Sequence, residues 1–91
     1  MSSDELLEDF LIITLKQGGR QEYIELNEHN IKEKFRALLD KIFKKYKMKE
    51  KFVMLTTDDG RMVPPFKYNQ PIETIVKDFG NKLNLYYEKQ I

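Results

Sequence analysis

The segment FLIITLKQGGRQEYIEL, residues 10–26, decides the fold. Its first half, Phe10-Leu11-Ile12-Ile13-Thr14-Leu15-Lys16, is rich in β-branched residues and is of strand length. Gln17-Gly18-Gly19-Arg20 follows, and paired glycines supply the positive φ angles that a tight hairpin needs. From Gln21 to Leu26 polar and apolar residues alternate, with Tyr23 on one face and Ile24 and Leu26 on the other. The segment is a β-hairpin.

Working outward, Asn27-Glu28-His29-Asn30 breaks the alternation. Asn30 is placed to cap a helix, and Glu33 three residues later completes a capping-box-like pair. Ile31, Phe35, Leu38, Leu39, Ile42, Phe43 and Tyr46 then recur at helical spacing as one apolar stripe, predicting a helix over residues 31–47. Ala37, Asp40, Lys41 and Lys44 lie opposite. The expected buried set on this helix is Phe35, Leu38, Leu39 and Ile42. Residues 52–57 read as a third strand, Asp58-Asp59-Gly60-Arg61 as a turn, and residues 61–63 as a short edge strand ended by Pro64-Pro65. Pro71 opens one or two helical turns ending near Gly80. Residues 83–87 form the final strand.

The predicted class is therefore α+β: a mixed sheet of four or five strands, with one long helix packed across one face. The helix is the only long amphipathic element, so it must cover a sheet face. The last strand fits beside the first in the middle of the sheet. Residues 1–8, with Asp4, Glu5 and Glu8, read as a disordered acidic leader.

Sixteen basic residues nearly balance fifteen acidic ones, so net charge does not call for nucleic acid. The chain has no cysteine, which removes disulfides, thiolate metal sites and thiol nucleophiles. No apolar run approaches the ~20 residues that span a bilayer. The polar, acidic N-terminus is unlike a signal peptide, so an intracellular and cytoplasmic location is expected.

Catalytic and ligand motifs are sought and not found. His29 is the single histidine and stands in the helix-entry loop. Asp58 and Asp59 are read as turn residues, since calcium loops need ligands at alternating positions over a longer stretch. Gly18-Gly19 is followed by a strand, whereas a phosphate loop is followed by a helix. The two serines, Ser2 and Ser3, lie in the leader. The expectation is a non-enzyme with no cofactor and no metal.

The order of elements, over residues 9–90, resembles the ubiquitin-like β-grasp superfamily. The local likeness is to ubiquitin-fold modifiers: Thr57-Asp58-Asp59-Gly60 after the third strand, then Pro64, Ile75, Phe79-Gly80 and Leu83-Asn84-Leu85. The resemblance implies that residues 9–91 are one ubiquitin-like domain. Conjugated modifiers end in glycine, and here no glycine follows Gly80. The implied role is that of the members that only bind protein partners. A modifier truncated before its C-terminal glycine is the other reading.

Parity assigns Leu11, Ile13, Leu15, Ile24, Leu26, Val53, Leu55, Leu83, Leu85 and Tyr87 to the helix-covered face. The opposite face then carries Phe10, Ile12, Thr14, Tyr23, Phe52, Met54, Thr56 and Tyr86. A solvated sheet face is usually polar, and large apolar groups there mark an interaction site. Phe10, Ile12, Tyr23, Phe52, Met54 and Tyr86 are thus the expected partner-binding residues, for a protein partner or a homodimer. Lys41, Lys44, Lys45, Lys47, Lys49 and Lys51 form a secondary basic patch. It offers an alternative, nucleic acid or anionic lipid, against a simpler role as a solvated helix end.

Overall fold

The computed structural model describes residues 10–16 and 18–88. The acidic leader, residues 1–8, lies outside the described residues.

Strand β1 spans Phe10–Leu15 and β2 spans Arg20–Glu25; they pair antiparallel with Ile12 opposite Tyr23 and Leu15 opposite Arg20. In the turn between them Gly18 and Gly19 hold φ of 90° and 68°, the region that side chains with a Cβ rarely enter. The long helix α1 covers Phe35–Tyr46, β3 covers Val53–Thr57, and β4 is the two-residue strand Met62–Val63. A second helix, α2, spans Ile72–Phe79, and β5 spans Lys82–Tyr87. The sheet order is β2-β1-β5-β3-β4. Strand β5 runs parallel to β1 and antiparallel to β3, so the first and last strands occupy the middle. The fold is α+β, with a five-stranded mixed sheet and two helices.

Two expectations are corrected here. The class of one long helix on a sheet gains a second: the one or two turns expected after Pro71 are the helix at residues 72–79, and its Ile72 and Ile75 are buried in the core. The helix predicted over residues 31–47 is also interrupted. Asn30–Lys32 is a single 3-10 turn, and Glu33 and Lys34 are extended. The cause is tertiary. Lys34 forms an antiparallel bridge with Pro71, and the Ile72 amide donates to the Glu33 carbonyl at 2.8 Å. This pairing holds residues 33 and 34 in the β region, where no helix can pass. Asn30 serves the loop instead: its Oδ1 accepts from the Asn27 amide, and Asn27 Oδ1 accepts from the His29 and Asn30 amides.

Helix α1 consequently begins without a side-chain cap. Two of its orphan amides are satisfied from a distant loop. Phe35 N–H donates to the Gln70 carbonyl at 2.9 Å and Arg36 N–H to the Tyr68 carbonyl at 2.7 Å. At the other end Lys47 takes the left-handed conformation that closes the helix, and the Met48 amide returns to the Phe43 carbonyl at 2.8 Å.

The core lies between the sheet and the helices. Leu11, Ile13, Leu15, Leu55, Leu83 and Leu85 from the sheet meet Phe35, Leu39, Ile42 and Phe43 from α1. This is the face that strand parity assigns, with Ile24, Leu26, Val53 and Tyr87 half-buried at its margins. Leu38, expected to be buried, packs only partly against the core, because α1 turns Leu39 to the centre of its contact stripe. Tyr68 is an unforeseen core member. It is 2% exposed, meets Phe35 edge to face at 6.0 Å, and carries the Arg36 guanidinium 5.8 Å from its ring centroid. Burial raises its phenol pKa above the ordinary value.

Candidate functional site: the uncovered sheet face

Alternation that buries Leu11, Ile13 and Leu15 sends Phe10, Ile12 and Thr14 to the other face. Neither helix covers that face. Phe10, Tyr23, Met54 and Tyr86 are exposed there, at 46%, 62%, 46% and 40%. Ile12 is half-buried. Phe52, expected as the first residue of β3, closes a 3-10 turn at Glu50–Phe52 and is also half-buried.

Register shows which of these residues meet. Ile12 stands opposite Tyr23, with Phe10 two residues along β1. Met54 stands opposite Tyr86. The two groups do not touch. Between them runs a polar row: Thr14 opposite Gln21 and Asn84, and Asn84 opposite Thr56. This row is tied by its own hydrogen bonds. Gln21 Nε2 donates to Thr14 Oγ1 at 3.2 Å, Tyr23 OH to Gln21 Oε1 at 2.7 Å, and Asn84 Nδ2 to Asp58 Oδ1 at 3.1 Å. The rows of Ile12 and Tyr86 are four residues apart, or roughly 13 Å at strand rise. Five of the six predicted residues therefore make two apolar islands on one face, and Phe52 lines the hollow beside Met54 and Tyr86.

The two islands differ in shape. Met54 and Tyr86 line a hollow of about 550 Å³ together with Phe52, Val53, Tyr87, Lys16, Lys51 and Glu88. Lys51 lies over the Phe52 ring, 5.1 Å from its centroid. Ile12 and Tyr23 border a hollow of about 380 Å³ shared with Thr14, Gln21, Asp58 and Lys82. Two exposed apolar side chains escaped the sequence reading. Met62, opposite Thr56, ends that row at the sheet edge with an apolar side chain and is 54% exposed. Phe66 is 73% exposed, in the 3-10 turn Pro65–Lys67. Met62 was findable, since it precedes a buried Val63 in a strand; Phe66 lies in a loop, where parity has no meaning.

Lys41, Lys44, Lys45, Lys47, Lys49 and Lys51 are all exposed. They do not act as one patch. Lys41, Lys44 and Lys45 ride on α1, while the others belong to the loop into β3. Lys45 Nζ is paired with Glu22 Oε2 at 3.0 Å, and Tyr46 OH donates to the same oxygen. The hydroxyl of Tyr46, then Lys45, hold the Glu22 carboxyl below its ordinary pKa against the opposing effect of burial.

A depressed carboxyl pKa contributes stability that is present above the unfolded value and lost as pH falls through the folded one. Glu22→Gln is therefore expected to lower stability at pH 7 and to flatten the loss on acidification below about pH 4.5. Thermal melts of both proteins between pH 7 and pH 3 measure this. Parallel curves would mean that the carboxylate is not held by its partners.

His29 is exposed, and its backbone amide serves the Asn27 turn. Asp59 accepts from Thr57 Oγ1 and pairs with Arg61 at 3.3 Å, which orders the turn where Gly60 takes φ of 92°. The Thr57 hydroxyl, first, holds the Asp59 carboxyl low. Among the described residues, no group of three or more His, Cys, Asp or Glu side chains converges on one point, and no helix is long and apolar enough to cross a membrane.

No protein-family model matches the chain, and no curated protein sequence matches it.

Proposed function

We propose that this chain is a non-catalytic protein-interaction module of the ubiquitin-like β-grasp type, which binds a partner or a second copy of itself through the uncovered sheet face. The fold part of the reading is supported by the sheet order, with first and last strands parallel at the centre, and by a long helix that follows the first hairpin. The functional part rests on one observation: Met54 and Tyr86, paired across β3 and β5, expose large apolar surface on a face that no other described element covers. Tyrosine and methionine are enriched at interfaces, and one hollow beside them gives a partner side chain somewhere to enter.

The lysine-rich end supports the nucleic-acid or lipid reading less well. Glu22 is committed to Lys45 and Tyr46 and Glu50 to Arg36, so acids are interleaved with the cations.

The test is a dilution series of the full chain followed by amide chemical shifts. Concentration-dependent shifts are expected at Met54, Tyr86 and their neighbours on β3 and β5. Shifts centred on Ala37, Asp40, Lys41 and Lys44, the outer face of α1, would overturn the reading.

A further inference from the structure

We infer that the hollow lined by Met54 and Tyr86 receives the acidic N-terminal segment of a second copy of this chain, Asp4-Glu5-Leu6-Leu7-Glu8-Asp9. This inference rests on the proposed role of the uncovered face and names the occupant of the larger of its two hollows.

The chemistry of the lining selects the occupant. Lys16 and Lys51 share the lining with these apolar groups, and neither has an ion-pair partner among the described residues. They stand at the hairpin end of the sheet. Arg20 is opposite Leu15 there, and Lys47 and Lys49 lie in the loop that leads to β3. Of the carboxylates nearby, Glu50 is held by Arg36 at 2.7 Å, which leaves Glu88 in the lining. A hollow lined by apolar groups and two lysines suits a segment with apolar side chains flanked by carboxylates on both sides. Residues 4–9 carry that pattern: two leucines between two pairs of acids.

Reach decides between the chain's own segment and that of a copy. The leader joins the sheet at Phe10, whereas Lys16 lies six residues away at the other end of β1. That span is roughly 20 Å at strand rise, before the step across β5 to β3. Leu7 and Leu6 precede Phe10 by three and four residues, so full extension carries them at most about 14 Å. A chain cannot seat these leucines in its own hollow. It can seat them in a neighbour's. Donor and acceptor sit at opposite ends of β1, so each chain can give and receive.

The experiment is sedimentation velocity on the full chain and three variants, at low and high salt. The acceptor variant is Lys16→Glu with Lys51→Glu. The donor variant is Asp4→Lys, Glu5→Lys, Glu8→Lys and Asp9→Lys. The third variant combines all six changes and so exchanges the charges. Self-association is expected for the parent, weakened at least about tenfold in the donor and acceptor variants and by added salt, and restored in the exchanged variant. A parent that stays monomeric at millimolar concentration overturns the inference. Association that survives both single-sided reversals also overturns it. If such association is instead lost on Met54→Glu with Tyr86→Glu, the sheet face still binds and only the leader as occupant is refuted.

Discussion

Leu39→Ala is expected to lower the unfolding free energy by about 2–5 kcal/mol. Leu39 is fully buried at the middle of α1 and belongs to the same core cluster as the sheet residues Leu11, Ile13 and Leu85. Removing its isobutyl group forfeits the transfer free energy and leaves a cavity in a core that has one layer. A domain of this size holds only about 5–15 kcal/mol of stability in total, so the loss is a large share. Leu38 is the internal control. It is the same residue type, one position earlier on the same helix, and only partly buried. Leu38→Ala is expected to cost clearly less than Leu39→Ala. Urea unfolding of the two variants measures both, and an equal or reversed order would mean that α1 is rotated by one residue about its axis.

The second large effect is on association rather than stability. Met54→Glu with Tyr86→Glu is expected to abolish binding through the sheet face while the melting temperature stays within a few degrees of the parent. The two side chains are 46% and 40% exposed, so the folded chain has little packing to lose. They are direct cross-strand partners, so two glutamates there repel each other by no more than a fraction of a kcal/mol at the surface. In a complex the same charges would have to be desolvated in an apolar contact without partners, which costs several kcal/mol each. Light scattering reads the association and differential scanning calorimetry the stability. Unfolding of the double variant would show that these groups are structural, and undiminished association would place the interface elsewhere.

What the amino-acid sequence discloses here follows from period. Alternation in residues 10–15 and 82–87 assigns each side chain to a face, because the strand repeat is two and one side is buried. The buried positions Leu11, Ile13, Leu15, Leu55, Leu83 and Leu85 are legible for that reason. Parity gives the side of the sheet but not the row. Whether Tyr86 lies beside Ile12 or far from it depends on the stagger of β5 against β1, and no local pattern encodes that. The division into two islands therefore emerges only from the pairing. The start of α1 is hidden for a related cause. Asn30 and Glu33 have capping-box spacing, yet the pairing of residues 33–35 with 70–72 overrides them. Tyr68 sits in a turn-rich stretch with no period at all, and its burial follows from the ring of Phe35 and the guanidinium of Arg36 that close on it.

The central position of β5 bears on how the chain matures on a ribosome. Strand β1 emerges first and can pair at once with β2, but its other edge is reserved for residues 82–85. Strand β3 likewise waits for β5 on its inner side. The amides that open α1 wait for the carbonyls of Tyr68 and Gln70. Until the last strand clears the exit tunnel, the nascent chain is a hairpin with an open inner edge and an incompletely anchored helix. Such exposed edges invite pairing with other chains, and contacts between residues this far apart close slowly. A ribosome stalled with residues 10–80 exposed is therefore expected to present a protease-sensitive chain. One that has released residue 88 is expected to present the protected fold, with acquisition of structure compressed into the synthesis of a single strand.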